Sequence, residues 1–305
     1  MQTSKTLLVL VALIAVLALV AAGTGVLWQG SGSPYPFTTL RGETAMIQGH
    51  GLYQYDTVSG AAQVIAGDVV TLVLGIPLLA VSAWLYGKGS LRGALLLAGT
   101  LGYFLYTYAS IALLATFNPL FLVYVALFSL GLFAFILSLM SIDVVALPGH
   151  FSARLPRRGI AATLFFIAAF LLLAWLGRIA PALLTGAAPV GLESYSTLVI
   201  QVLDLGLIVP LAILAGVLLL KRRPFGYLLT AVALLKGLTM AVAVAAMGIA
   251  QVLAGVAVSV PEIAIFVGLA VVIAVMAIAL LKNVRPQEAA GSTASPQAPA
   301  FGQDR

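Results

Sequence analysis

Residues 197–224 read TLVIQVLDLGLIVPLAILAGVLLLKRRP, an apolar run that contains one carboxylate, Asp204, and ends in basic residues and a proline. A second apolar run follows at once and contains Lys236. About 20 apolar residues are enough for a helix to cross a bilayer. An ionised side chain is costly in hydrocarbon, so it normally faces a partner, a cavity or a ligand. The stretch therefore predicts two consecutive transmembrane helices, each with one buried charge.

The same composition extends over the whole chain of 305 residues, of which 62% are hydrophobic and 8% charged. A soluble domain carries about 25% charged residues, so most of this surface is expected to face lipid. About eight apolar runs reach spanning length, and none shows the alternation of a membrane β-strand. They cover residues 6–28, 68–86, 94–116, 119–142, 160–177, 197–220, 225–250 and 262–281. The sequence predicts an all-α, polytopic transmembrane helical bundle.

Basic residues are concentrated in the connections on one side of this bundle. The connections 87–93, 143–159 and 221–224 and the segment after residue 281 carry most of them, whereas the opposite side carries Arg41 and Arg178. The positive-inside rule then places both termini in the cytoplasm, which suits an even number of helices. The net charge of +6 has this origin, since no long basic stripe suggests nucleic acid. We expect a bacterial inner-membrane protein with the lipid bilayer as its partner.

The domain organisation is expected to be simple. Residues 1–285 form one bundle, without an evident internal repeat. Residues 29–67 form an extracytoplasmic loop in which Asp56 caps a short helix over 57–66. Residues 286–305 are rich in Ala, Pro, Ser, Gln and Gly, which predicts a disordered cytoplasmic tail.

The first span has two interpretations. A short basic start, an apolar run and the small residues Ala21, Ala22 and Gly23 resemble a signal peptide. The run is about 20 residues long, beyond the usual 7–15 of such segments, which favours a retained anchor. Asp68 and Glu262 are expected to begin the second and eighth spans, where a carboxylate complements the helix dipole.

Polar side chains recur at helical spacing in the third, sixth and seventh spans. The sixth and seventh are antiparallel neighbours, and counting from their short connection separates Asp204 and Lys236 by ~7 Å in depth. An ion pair, direct or through water, is expected, and Tyr103 or Tyr106 is expected to hydrogen-bond Asp204. Pro210 predicts a break that frees a carbonyl near Asp204, as in transport sites. The predicted polar core comprises Asp204, Lys236, Gln201, Tyr103, Tyr106, Thr107 and Thr239.

This core favours binding or passage of a small solute, an ion or a proton, with Asp204 as the titratable or cation-binding group and Lys236 as its counter-ion. The structural alternative is that a buried ion pair fixes helix register and that Thr and Tyr join helices. Two other functions stay open: a non-catalytic assembly subunit with a membrane protein partner, or a sensor whose loop 29–67 binds an external ligand. The chain has no cysteine and no HExxH, GxSxG or P-loop motif, so no cofactor, catalytic residue or metal site is predicted.

Four segments resemble parts of bacterial multi-pass membrane proteins that have no established activity. They are Gly51-Leu-Tyr-Gln-Tyr-Asp-Thr-Val58, Gly67-Asp-Val-Val-Thr71, Gly102-Tyr-Phe-Leu-Tyr-Thr-Tyr108 and Val202-Leu-Asp-Leu-Gly206. The resemblance covers the second to eighth spans. It implies a membrane bundle and transfers no functional residues.

Overall fold

The structure, a computed structural model, describes residues 3–285 and contains eight helices long and apolar enough to cross a membrane. A hairpin of β1 (Tyr35–Thr38) and β2 (Thr44–Ile47) follows the first helix, and a 3₁₀ turn (Leu147–His150) follows the fourth. The predicted all-α bundle is confirmed, and the tail predicted over 286–305 lies outside the described residues. The helices are α1 (Lys5–Leu27), α2 (Val58–Gly87), α3 (Leu91–Leu114), α4 (Phe121–Met140), α5 (Arg157–Thr185), α6 (Val199–Leu220), α7 (Pro224–Leu253) and α8 (Val260–Lys282).

Helix α2 differs most from its prediction. It is continuous from Val58, where the Thr57 hydroxyl caps it by accepting a hydrogen bond from the Gly60 amide (3.0 Å). No separate short helix precedes it, Asp56 is not its cap, and Asp68 lies inside it, buried, rather than at its start. These three predictions were wrong because polar side chains in the first turns of α2 lowered its apparent hydropathy. In the fold those side chains bond to one another and to α7.

Helix α5 is longer than predicted. It continues through Arg178 and Pro181 to Thr185, so Arg178 lies in the helix and not in an outer loop. Glu262, by contrast, lies at the start of α8 as predicted, and its carboxylate accepts a hydrogen bond from the Ser259 amide (2.9 Å) in a capping box.

Both described ends of the chain lie at the same end of the bundle. The Ser4 amide donates to the Tyr86 hydroxyl (3.0 Å), next to the α2–α3 turn. Arg92, just after that turn, donates to the Val284 carbonyl (2.6 Å), and Phe151 forms a β-bridge with Val284. The basic connections and both described ends therefore share one side of the bundle.

The α2–α3 turn and the α6–α7 turn have the same hydrogen bonding. The Ser90 amide donates to the Leu85 carbonyl (3.1 Å), and the Arg223 amide donates to the Leu218 carbonyl (2.9 Å). One constant offset along the chain takes residue 85 to 218 and residue 90 to 223. Equal geometry at a constant offset indicates that the two helical hairpins are structural repeats.

The same offset relates the interruptions of the two preceding helices. Each contains a π-helical segment, Thr71–Gly75 in α2 and Asp204–Ile208 in α6. Each segment is followed at the same interval by a proline, Pro77 or Pro210. Proline cannot donate a backbone hydrogen bond, and a π-bulge is one way in which a helix adjusts its ladder around such a defect.

Helices α3 and α7 pack on each other through reciprocal contacts. The Leu235 side chain lies directly against Gly99, where any Cβ would overlap it, and a Cβ on Gly102 would lie 3.5 Å from Val232. The same offset takes Gly99 to Val232 and Gly102 to Leu235. The contact of Gly99 with Leu235 is therefore the equivalent of the contact of Gly102 with Val232. Reciprocity of this kind is characteristic of a two-fold relation.

The chain thus consists of two four-helix repeats, α1–α4 and α5–α8. In each repeat the first helix packs on the second and fourth, and the third packs on the fourth. This repeat is not evident from the sequence alone, because most equivalent positions differ and the residues that are shared, apart from Pro77/Pro210 and Gly93/Gly226, are largely Leu. An even number of helices per repeat gives both repeats the same orientation in the membrane.

Substitution of the turn glycines should destabilise both hairpins alike. A Cβ on Gly93 would overlap Leu85, and one on Gly226 would overlap Leu218. Each Gly→Ala change is expected to cost about 1–3 kcal/mol through overpacking, measured as a lower thermal unfolding midpoint in detergent. Gly268→Ala on α8 is the control, since its Cβ would meet open space. A midpoint for Gly93→Ala equal to that of the control would contradict the tight turn.

Candidate functional site

Asp204 is positioned by the interruption of α6. It is the first residue of the π-helical segment Asp204–Ile208, and it is buried, with 7% of its surface exposed. The sequence predicted a break at Pro210 that frees a carbonyl; the structure has instead a π-helical segment before Pro210, in which the Val209 amide donates to the Asp204 carbonyl. π-Bulges are frequently found at functional sites, because the widened turn re-aims the side chains around it.

The Asp204 carboxylate is held by two aromatic donors. Tyr106 of α3 donates its hydroxyl to Oδ1 (2.6 Å), and Trp175 of α5 donates its indole Nε1 to Oδ2 (2.9 Å). Hydrogen bonds to an ionised acceptor are roughly twice as strong as neutral ones. Each carboxylate oxygen therefore accepts one hydrogen bond from an aromatic side chain.

Lys236 is connected to this carboxylate through Tyr106. Its ammonium Nζ lies 3.6 Å from the centroid of the Tyr106 ring, and the side chain is 5% exposed. The predicted direct contact between Lys236 and Asp204 is not formed among the described residues. Instead the hydroxyl of one tyrosine meets the carboxylate while its ring meets the ammonium.

The three side chains act as one electrostatic unit. Donation of the Tyr106 hydroxyl to Asp204 increases electron density in the ring, which strengthens its attraction for Lys236. A desolvated cation–π contact contributes about 2 kcal/mol or more, and a hydrogen bond to a charged group contributes about 1.5–3 kcal/mol. The unit links α3 of the first repeat to α6 and α7 of the second, so it lies at the interface of the repeats.

Tyr103 lies apart from this unit. Its hydroxyl hydrogen-bonds to Thr71 of α2 (2.9 Å), so Tyr106 and not Tyr103 is the tyrosine that bonds Asp204. Thr107 is half-buried, one helical turn from Tyr103. The offset between the repeats takes Thr71 to Asp204 and Tyr103 to Lys236. A neutral hydrogen bond in the first repeat thus occupies the position of the charged pair in the second.

The other two predicted residues have supporting positions. Gln201 is buried one turn before Asp204. Thr239 is buried, and its hydroxyl donates to the Lys236 carbonyl (2.8 Å) on its own helix. Thr239 therefore fixes the backbone that carries Lys236 and does not contact the charged unit through its hydroxyl.

Sequence reasoning missed Trp175, Thr71 and Asp68. Trp175 lies near the end of the predicted span 160–177, and the extension of α5 to Thr185 places it inside the helix. Asp68, which is 2% exposed, accepts a hydrogen bond from Tyr53 (2.6 Å). The repeat offset pairs Thr71 with Asp204 and Asp68 with Gln201, but it does not lead to Trp175.

A second polar cluster lies in the outer loops. Asp56 is 1% exposed and accepts hydrogen bonds from the Thr116 amide (2.9 Å), the Thr116 hydroxyl (3.0 Å) and the Tyr195 hydroxyl (3.1 Å). Burial raises the pKa of the Asp56 carboxyl, and these donors offset only part of that rise. Burial first, and then the negative charge of Asp56, raise the pKa of Tyr195. The cluster ties the start of α2 to the end of α3 and to the segment before α6.

A cleft of about 400 Å³ opens beside this cluster, between the β-hairpin, the start of α2 and the segment before α6. Its lining includes the carboxylates of Glu43 and Glu193 and no Lys or Arg. The Arg178 guanidinium lies against Gly191, which also lines the cleft, so both signs of charge are present at this site. Within residues 3–285 no three His, Asp or Glu side chains come together as metal ligands would.

The chain matches no protein-family model, and no curated protein and no solved structure is similar to it. The fold defines a multi-pass helical membrane protein, and its activity has to be inferred from the geometry of the buried charges.

Substitutions of Tyr106 should separate its two roles. Tyr106→Phe keeps the ring under Lys236 but removes the hydrogen bond to Asp204, at an expected cost of about 1.5–3 kcal/mol. Tyr106→Leu also removes the ring and is expected to cost about 2 kcal/mol more. Tyr103→Phe is the control, because it loses one neutral hydrogen bond worth about 0.5–1.5 kcal/mol. Detergent unfolding would measure the series, and equal losses for Tyr106→Phe and Tyr106→Leu would refute the cation–π contact.

The Asp56 cluster should make stability depend on pH in a defined direction. A carboxyl whose folded pKa is raised stabilises the fold below its unfolded pKa, and this contribution is lost as pH rises through the folded pKa. Asp56→Asn keeps an acceptor that cannot ionise. Its unfolding midpoint is expected to fall less than that of the wild type as pH rises above about 4. Asp143→Asn, at an exposed carboxylate, is the control. If the unfolding midpoints of wild type and Asp56→Asn fall in parallel with pH, Asp56 is not the cause of the pH dependence.

Proposed function

We propose that the protein binds or conducts a small solute, an ion or a proton through the polar core of α3, α6 and α7. It would do so in a bacterial cytoplasmic membrane, with both termini in the cytoplasm. The observation that carries the proposal is the buried unit of Asp204, Tyr106 and Lys236 at the contact between two repeats. Charges within a membrane protein usually mark ion, proton or substrate pathways.

The helix interruptions support the same function. Transporters built from repeats bind their substrates at the repeat interface, beside helices interrupted at corresponding positions in the two halves. Here the segments Thr71–Gly75 and Asp204–Ile208 are such interruptions, and the second begins with the central carboxylate.

A purely structural ion pair is less consistent with the repeat. The equivalent position in the first repeat is occupied by the neutral hydrogen bond between Thr71 and Tyr103. The fold therefore joins these helices without charge in one half. Burying two charges at the same position in the other half has a desolvation cost. In membrane proteins, charges that are retained at such a cost usually have a function.

The roles of the side chains follow from their contacts. Asp204 is the group that takes up a proton or a cation, and Lys236 is its counter-ion. Neutralising Asp204 would weaken the hydrogen bonds from Tyr106 and Trp175 and leave Lys236 without its countercharge. Because those residues belong to different repeats, a change of charge at Asp204 would alter the packing between the repeats, which is what alternating access requires.

The test compares Asp204→Asn with wild type in proteoliposomes. Under an imposed membrane potential, fluxes of protons, Na⁺ and K⁺ are measured with ion-sensitive dyes. The amide keeps the shape but cannot titrate, so flux is expected to fall by about tenfold or more while the folded yield stays near normal. Asp143→Asn is the matched control. Unchanged flux in Asp204→Asn would show that the buried charges have only a structural role. The same conclusion would follow if the folded yield of Asp204→Asn collapsed and the wild type showed no flux.

A fluorescence assay extends the test to unknown solutes. With Trp28→Phe and Trp84→Phe, Trp175 is the one remaining tryptophan, and its indole donates to Asp204 (2.9 Å). A solute that occupies the core is expected to shift Trp175 emission. Asp204→Asn should abolish the shift, and a shift that persists would place the binding elsewhere.

A further inference from the structure

We infer that Asp68 forms a second binding site, for a small monovalent cation, either a proton or a sodium ion. This site is separate from the unit of Asp204, Tyr106 and Lys236 and goes beyond the function proposed for it. It lies between α1, α2, α3, α4 and the outer loop that contains Tyr53.

The Asp68 carboxylate is enclosed by the protein. Tyr53 donates its hydroxyl to Oδ2 (2.6 Å). The backbone of α1 lies over the same oxygen at Gly25, where any Cβ would overlap Oδ2 and would lie 2.8 Å from the Tyr53 hydroxyl. Such close enclosure leaves no room for an organic solute beside this oxygen.

Two tyrosine hydroxyls on the helices around Asp68 have no hydrogen-bond partner among the described residues. Tyr108, on α3, is buried (1% exposed), and α3 packs on α2. Tyr124, on α4, is also buried (2% exposed), and α4 packs on α1. Buried hydroxyls are nearly always paired, so two unpaired ones on the helices that enclose a carboxylate point to a bound species.

These hydroxyls suit a monovalent cation chemically. A hydroxyl both donates and accepts, so it can donate to an ionised carboxylate, accept from a protonated one, or turn an oxygen lone pair towards a metal ion. Hard cations prefer oxygen ligands of this kind. A proton and a sodium ion would therefore compete for the same oxygens.

The charge balance also requires a cation. Within residues 3–285, Lys236 is the one buried Lys or Arg side chain, and it is directed to Tyr106 and Asp204. Asp68 has no basic partner there. An isolated carboxylate in an apolar interior is either protonated or neutralised by an ion.

The repeat shows that the fold itself does not require this charge. The offset between the repeats takes Asp68 to Gln201, a buried neutral amide. An acidic side chain at this position is thus particular to the first repeat, where the tyrosine hydroxyls lie.

Reaction with dicyclohexylcarbodiimide, which modifies protonated carboxyl groups in apolar surroundings, tests the proposal. Purified full-length protein is treated between about pH 5 and pH 9 in choline or sodium chloride, and the adduct is located by mass spectrometry. Modification of Asp68 is expected to fall by about tenfold per pH unit above its midpoint. Protection by sodium at fixed pH identifies sodium as the ligand, and its absence identifies the proton. An Asp68 adduct that is absent throughout, or constant with pH and sodium, would overturn the proposal.

Variants separate this site from the Asp204 unit and from misfolding. Asp204→Asn is expected to give the wild-type Asp68 profile, even if it abolishes ion flux. Tyr53→Phe should move the midpoint to higher pH, because the ionised carboxylate loses the hydroxyl that donates to its Oδ2 (2.6 Å). Tyr227→Phe, at the other end of the bundle where Arg157 donates to its hydroxyl, should leave the profile unchanged. Equal midpoints for Tyr53→Phe and Tyr227→Phe would remove the tyrosine from the site.

Discussion

The structure depends on how an ionised carboxylate and an ammonium are kept inside an apolar bundle. Either charge facing lipid would be very costly, so each needs a partner within the protein. Tyr106 supplies partners to both at once, through its hydroxyl to Asp204 and through its ring to Lys236. Three helices from two repeats are thereby held in one register by a single aromatic side chain, whose removal would leave two charges uncompensated.

The two repeats share a backbone and divide the chemistry between them. Their α2–α3 and α6–α7 turns and their π-helical segments correspond position by position. The side chains at these positions differ: Thr71 and Tyr103 in one half are replaced by Asp204 and Lys236 in the other. A tandem architecture of this kind allows one half to keep a neutral, stable contact while the other carries charge at the common interface.

Much of the fold was predictable because lipid imposes a strong constraint on sequence. The eight spans and the common side of the termini followed from apolar runs and basic clusters alone. The start of α2 was missed because Ser59 and Gln63 are polar, although they bond inside the bundle. The role of Tyr106 was predictable only in part. Helical spacing placed it near Asp204, but its position between the two charges depends on side-chain torsion angles and helix orientation, which residue spacing does not determine. The repeat was hidden because most equivalent positions differ, as Ser90 and Arg223 do, and because the residues that are the same are largely Leu, which is common throughout the chain.

The glycines at the α2–α3 and α6–α7 turns have a mechanical consequence. Backbone lies directly on backbone at Gly93 and Gly226, so the two helices of each hairpin are in close contact at the turn. These ends cannot separate without losing that contact, whereas the far ends of α2 and α6 are separated from the turns by a π-helical segment. Any separation of the paired helices would therefore be greater at the ends opposite the turns.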